Sequence, residues 1–376
     1  MKKIFSKSLI LIVISVVSLI GCSKKENILK IGIIQPITGE LANFGQTVIN
    51  GIQLAVAENE DSLSQGKIKL IIEDSKGEPT QAVNAFNKLI NVDKVDFVIG
   101  SLTSGATLAI SPISQENKKL LISPTASNPK LSEAGRYFFR VWPSDNYDGE
   151  VAAKYCIEEL DAMKASIVYI NNDYGVGLKD VFTSTFNSLG GQVVSVDSYL
   201  PDNLNFRTLI TKIKTENVDL VYIPGHPLGI ASFLKQSKEL GLVALFFSNV
   251  SAEDKEFIAD AREAAVGLFF VTPAFDLNSN RQEVSNFVNS YRKAYNGESP
   301  DIHAVKGYEA MFVLIQGFKE GKKTPDEMVN FLLSNSFNTI SGLLEFNESG
   351  DVITDMAIKK YDENLKVDIL NLVREK

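Results

Sequence analysis

Two loop segments hold most of the side chains that could do chemistry. Gly100-Ser101-Leu102-Thr103-Ser104-Gly105-Ala106-Thr107 follows a short apolar run and opens a helical pattern. Its hydroxyls and free backbone N–H groups therefore gather at the positive end of a helix, where an anion is stabilised. The second segment, Ser123-Pro124-Thr125-Ala126-Ser127-Asn128-Pro129, ends the next apolar run and adds hydroxyls, with carbonyls that cannot enter a helix before proline. Taken singly, each reads as ordinary capping, with Thr103 or Ser104 as an N-cap and Ser123 as a turn residue. As a pair after adjacent parallel strands they lie outside the carboxyl edge of a sheet, where open α/β sheets bind ligands.

Other chemistry is sparse. Two histidines, His226 and His303, and two cysteines, Cys22 and Cys156, leave almost nothing for a Cys/His metal site, so no metal and no cofactor are expected. No phosphate-binding loop, dinucleotide fingerprint, zinc-protease pair or serine-hydrolase elbow is present, and Gly175-Val176-Gly177 lacks a third glycine. An enzyme would have to use His226 or His303 as its base, and neither sits beside a serine or cysteine motif. No catalytic residue is assigned.

The elements that must position these loops alternate. Candidate strands at Leu29 to Ile34, Ile68 to Glu73, Phe97 to Gly100, Leu120 to Ile122, Ala165 to Ile170, Val193 to Val196, Leu220 to Ile223, Ala244 to Phe247 and Gly267 to Val271 are separated by helix-length patterns, including one over 251–262. That rhythm predicts an α/β fold with parallel sheets covered on both faces. The chain has 376 residues, which suggests about two domains, with pauses after Arg140-Val141-Trp142-Pro143 and at Val271-Thr272-Pro273. Trp142 and Phe138-Phe139 read as packing at the crossover. A net charge of −8 at pH 7 argues against a nucleic-acid partner.

The N-terminus reads as an export leader, basic at Lys2, Lys3 and Lys7 and then apolar from Ser8 to Ile20, too short to span a bilayer. Its end, Leu19-Ile20-Gly21-Cys22, resembles the lipobox of bacterial lipoproteins. The resemblance implies a signal peptide over 1–21, lipidation of Cys22 and a polar tether over 22–27 that holds the protein to a membrane outside the cytoplasm.

The remainder resembles the leucine/isoleucine/valine-binding proteins, the extracytoplasmic solute receptors of branched-chain amino acid ABC transporters with the type I periplasmic-binding fold. The carriers include Ile31-Gly32-Ile33 with Pro36-Ile37-Thr38-Gly39, Phe44-Gly45, Glu73-Asp74, Val98-Ile99-Gly100, Ser123-Pro124, Asn128-Pro129, Tyr174-Gly175, Ala265-Val266-Gly267 and Gly350-Asp351. It implies two doubly wound parallel-sheet lobes joined by three crossover segments, lobe 1 spanning 28–143 plus 274–345 and lobe 2 spanning 144–273 plus 346–376. The implied ligand is a small carboxylate, foremost an amino acid, caught between the lobes. Its carboxylate would meet Ser104 and Ser127, with Leu102, Thr103, Thr125 and Ala126 beside them, Phe44 as an aromatic wall and Tyr174 from the opposing lobe. Two positions depart from the family pattern. Val250 falls where a glutamate usually pairs with the ligand's ammonium, so Asn249, Ser251 or Glu253 could substitute, or the ligand could lack an amine. His226 and His303 stand where aromatic residues usually line the cleft, which leads us to expect His226 to contact the ligand as a donor or weak cation. The implied partners are the small-molecule ligand and ABC permease subunits, around a monomer. A sensor of the same fold, or a cleft enzyme, is the alternative.

Overall fold

A computed structural model describes residues 28–59 and 66–374. The leader, Cys22 and the tether lie outside the described residues. No helix among those described is long and apolar enough to cross a membrane.

An unbroken buried run makes the first strand a central one, since a parallel strand with helices on both faces has no polar side. That strand is β1 (Ile28–Gln35), and it is followed by α1 (Ala42–Asn59), β2 (Lys67–Asp74), α2 (Pro79–Lys88), β3 (Phe97–Gly100), α3 (Ser104–Glu116), β4 (Leu120–Ser123) and β5 (Phe138–Arg140). The five strands form an all-parallel sheet in the order β2-β1-β3-β4-β5. Apolar clusters fill both of its faces, one around Ile31, Ile33 and Val48 and the other around Ile34, Phe86 and Val98.

The chain then crosses over 141–144 into a second lobe. There α4 (Asp145–Glu158), β6 (Lys164–Ile170), α5 (Asp173–Ser188), β7 (Gln192–Tyr199), α6 (Arg207–Glu216), β8 (Leu220–Ile223), α7 (Pro227–Glu239), β9 (Leu245–Ser248), α8 (Lys255–Ala261) and β10 (Phe269–Pro273) repeat the pattern. It crosses back to place α9 (Gln282–Ala294), α10 (Ile302–Lys319) and α11 (Pro325–Ser334) on the first lobe, with a small antiparallel sheet of β11 (Phe337–Thr339), β12 (Gly342–Phe346) and β13 (Val352–Ile353). A third crossing leads to β14 (Asp355–Tyr361) and β15 (Val367–Arg374), which extend the second sheet antiparallel to give the order β15-β14-β10-β9-β8-β6-β7.

Two expectations shift. The third crossing falls at Thr354 and not after 345, because β13 pairs with β12, and Phe346 and Val352 are buried in the first lobe's core. The helix expected over 251–262 is broken. Asp254 takes an extended conformation and its side chain accepts the Glu256 amide, so α8 starts afresh after a short 3-10 turn at Val250–Glu253.

Strand order reverses direction at β1/β3 in the first sheet and at β6/β8 in the second. At each point the loops diverge to opposite faces and leave a crevice at the carboxyl ends of the strands. The two crevices face each other.

Candidate functional site

Between the lobes lies a cavity of about 570 Å³. Its first-lobe wall comes from the loops after β1, β2, β3 and β4, and its second-lobe wall from those after β6, β7, β8 and β9. Phe44, Leu102, Thr103, Ser104, Thr125, Ser127, Tyr174, His226, Val250 and His303 all line it. The lobes are closed over the cavity, since Asn43 donates to Glu256 across the gap and Asn128 Nδ2 donates to the Asp173 carbonyl at 2.6 Å.

Ala126 does not belong to the wall. Its amide donates to Ser123 Oγ at 3.0 Å and its side chain is packed in the core beneath the sheet, so the residue turns inward between Thr125 and Ser127. Thr103 lines the cavity, but its hydroxyl is engaged in capping, accepting the Ala106 amide and donating to the Gly77 carbonyl at 2.9 Å.

The remaining hydroxyls differ in where their protons go. Ser104 Oγ accepts the Asn128 amide at 3.3 Å, which leaves its own proton available to an anion. Beside it the first amides of α3, those of Ser104 and Gly105, have no acceptor within the helix. Thr125 Oγ1 instead donates to the Leu102 carbonyl at 2.8 Å, so it keeps only lone pairs for a ligand, while Ser127 beside it lines the cavity and its carbonyl accepts the Asp145 amide at 2.8 Å. Donors thus converge at the helix end, and the Thr125 acceptor stands one loop away.

The aromatic side is equally organised. Gly51 and Gly307 let α1 and α10 touch backbone to backbone: a Cβ at Gly51 would lie 2.0 Å from the Ala304 oxygen and one at Gly307 2.2 Å from that of Val48. That approach sets the Phe44 and His303 rings 4.6 Å apart, and Trp142 stacks on His303 at 5.5 Å. Trp142 therefore lines the cavity while also packing at the crossover, where the sequence reading had placed it. Nothing in a hinge tryptophan's neighbours along the chain signals that its ring would face His303, 161 positions on.

On the second lobe, Tyr174 and His226 are stacked with centroids 6.1 Å apart and 9° between planes. Asn172 Oδ1 accepts the Gly175 amide at 2.9 Å, so its Nδ2 faces His226 Nε2 at 3.3 Å as the donor. The neutral ring then carries its proton on Nδ1. Burial pulls the His226 pKa down to about 4, which removes the weak-cation alternative at neutral pH and leaves a neutral imidazole.

Val250 is buried in an apolar cluster with Trp142, Phe287 and Ala304. Of its three possible substitutes, only Ser251 reaches the cavity. Asn249 is fully buried, its amide bonded to Gly225, Ser248 and Tyr174. Glu253 pairs with Lys359 in a separate groove. Glu40, Lys76, Glu78 and Asp173 also border the cavity, but all four are exposed at its mouth. No group of three or more metal-ligating side chains occurs among the described residues.

Comparison with known proteins agrees with this architecture. A family profile described as periplasmic binding protein matches residues 28–365. The chain is 33% identical over 338 residues to the Leu/Ile/Val-binding protein BraC3 of Rhizobium johnstonii, covering 88% of this chain and 90% of that one. It is 28% identical over 330 residues to the leucine-, isoleucine-, valine-, threonine- and alanine-binding protein of Pseudomonas aeruginosa, covering 86% and 87%. The crystal structure of the leucine-binding protein LivK from Thermotoga maritima superposes with a TM-score of 0.85 at 28% identity, over 92% of this chain and 98% of that one. On the profile, the relatives and the two-lobed fold together, this chain belongs to the periplasmic binding protein family, with the type I fold.

Proposed function

We propose that this protein is an extracytoplasmic solute receptor that captures a small amino acid, branched-chain ones first, in the cavity between its lobes and delivers it to an ABC permease. The observation that carries this reading is the separation of donors from acceptors on one wall. Ser104 and the first amides of α3 suit a carboxylate, Thr125 Oγ1 suits an ammonium group, and the apolar and aromatic side chains of Leu102, Phe44, Trp142 and Val250 suit an aliphatic side chain. Relatives named for leucine, isoleucine and valine support the same ligand class.

Capture works by population shift. A ligand that touches both walls only when the lobes are shut favours the closed form by its extra contacts there. No bond is made or broken, and ATP would be hydrolysed by another subunit. The leader and Cys22 support export and tethering by acyl chains, with a monomer hinging freely.

Calorimetry against a panel of amino acids, with small-angle scattering for compaction, tests the reading. We expect heat and compaction for an aliphatic amino acid. Ser104→Ala should weaken it by about 1.5–3 kcal/mol, the worth of a hydrogen bond to a charged group. No heat from any amino acid, or an unchanged affinity in Ser104→Ala, removes the assignment.

A further inference from the structure

The bonds that hold the lobes shut are unequal. Asn43 and Glu256 meet across the gap as two exposed side chains, where water competes for both and little is gained. Asn128 is 4% exposed, and its Nδ2 donates at 2.6 Å to the carbonyl of Asp173 in the first turn of α5. It is not among the residues that line the cavity, so its bond is made to the other lobe and not to a ligand.

Bonds within the first lobe fix Asn128 before the lobes meet: its amide donates to Ser104 Oγ at 3.3 Å, its Oδ1 accepts the Lys130 amide at 2.9 Å, and its carbonyl accepts from Arg140 Nη1 at 3.0 Å. Arg140 is held in turn by Asp351 at 2.6 Å. With Oδ1 committed to Lys130, the side-chain amide has one orientation, and Nδ2 faces the second lobe. A donor fixed this way gives up no rotamer freedom on closure, so the bond's full worth favours the shut form.

The first turns of α5 can reach it only because two positions lack a side chain. A Cβ at Gly177 on α5 would lie 3.0 Å from Pro129 Cδ and 3.1 Å from Asn128 Nδ2, and one at Gly105 on α3 would lie 2.8 Å from Asp173 Oδ2. These neighbours belong to the opposite lobe. Neither glycine has a positive φ, so close approach is what calls for glycine here. We propose that Asn128 is a positioning residue of capture, a clasp that holds the closed form by bonding the Asp173 carbonyl, with Gly105 and Gly177 as the seats that let α5 come within reach. This rests on reading the cavity as a capture site, and it assigns the lifetime of the complex to groups that no ligand touches. Ser104 links the two, because the hydroxyl offered to the ligand's carboxylate also accepts the Asn128 amide, and successive hydrogen bonds polarise one another.

The test follows binding of L-leucine and of 4-methylpentanoate, the same skeleton without the amine, by stopped-flow fluorescence. Trp142, the chain's one tryptophan, lines the cavity and reports both. Asn128→Asp keeps the oxygen that accepts the Lys130 amide and sets a second acceptor against the Asp173 carbonyl. We expect koff to rise roughly tenfold, by the same factor for both ligands, with kon changed less than about twofold. Gly177→Ala should weaken both ligands roughly threefold or more while the melting temperature of the ligand-free chain holds or rises, since alanine favours the helix and crowds only the shut form. It keeps the test open should Asn128→Asp fail to fold. A merely structural role would instead lower the melting temperature and leave koff alone. Unchanged koff in Asn128→Asp, a loss confined to one ligand, or wild-type affinity in Gly177→Ala overturns the proposal. If wild type binds 4-methylpentanoate and not leucine, the amino-acid reading fails and the clasp is still read on the acid. Binding of neither overturns the capture reading, and this inference with it.

Discussion

Each lobe buries charge, and the two burials are built differently. In the first, Lys306 and Glu309 are fully buried on α10, yet every polar atom is answered: Lys306 Nζ meets Glu309 Oε2 at 2.9 Å and Ser341 Oγ at 3.0 Å, while Glu309 Oε1 takes the Ser341 amide at 2.8 Å and its hydroxyl at 2.7 Å. Burial alone would raise the Glu309 pKa, but Lys306 and the Ser341 hydrogen bonds overrule it and hold the carboxyl below its usual value. Asp145 and Asp148, at the entry to the second lobe, are buried too, but Arg140, the cation that acts on Asp145, is already bonded to Asp351 at 2.6 Å, and Asp145 Oδ2 and Asp148 Oδ1 have no hydrogen-bond partner. A closed network fixes α10 and with it His303.

The sharpest way to break this contrast is to open the closed network. Lys306→Met leaves Glu309 buried and unpaired, and we expect a loss of about 3–5 kcal/mol of stability in chemical denaturation. A loss under 1 kcal/mol would mean that water reaches the pair. A smaller effect is expected from pH. Asp145 is raised in the folded state, so between roughly pH 4 and 7 the folded chain keeps a proton that the unfolded chain has lost, and ligand-free stability should fall as pH rises through that window. Glu309 has the opposite sign, its contribution being lost only as pH drops below the usual glutamate range. Asp145→Asn should flatten the upper slope, as read by melting temperature, and an unaltered slope would place the titrating group elsewhere. The smallest effect concerns His226, half-buried and uncharged at neutral pH. His226→Ala should weaken the ligand by about 0.5–1.5 kcal/mol, as for a neutral hydrogen bond. The ratio of its affinity to that of wild type should stay constant from pH 5 to 8, because the ring titrates near 4. A ratio that changes around pH 6.5 would show a solvated imidazole.

Much of the scaffold was legible because it is periodic. The strands at Phe97–Gly100 and Leu220–Ile223 coincide with their apolar runs, and the two hydroxyl loops follow from strand-to-helix alternation. The departures came where conformation is decided away from local pattern. β5 is only Phe138–Arg140, too short to show alternation, and it exists because β4 offers it an edge. Ala126 shares its loop with Thr125 and Ser127 and differs only in facing the core, which no side-chain type announces. Asp145 stands in the first turn of α4, where an acid is ordinary by sequence. Its burial is decided by the loop after β4, where the Ser127 carbonyl accepts its amide at 2.8 Å.

By itself, then, the order of residues determined what depends on neighbours along the chain: apolar runs that must be strands, loops rich in hydroxyls at their ends, and a family pattern spanning both lobes. Tertiary structure alone decided what depends on neighbours in space. Whether a hydroxyl donates or accepts is set by which distant group already holds its proton, and whether a carboxylate is charged is set by how much water its folded surroundings admit.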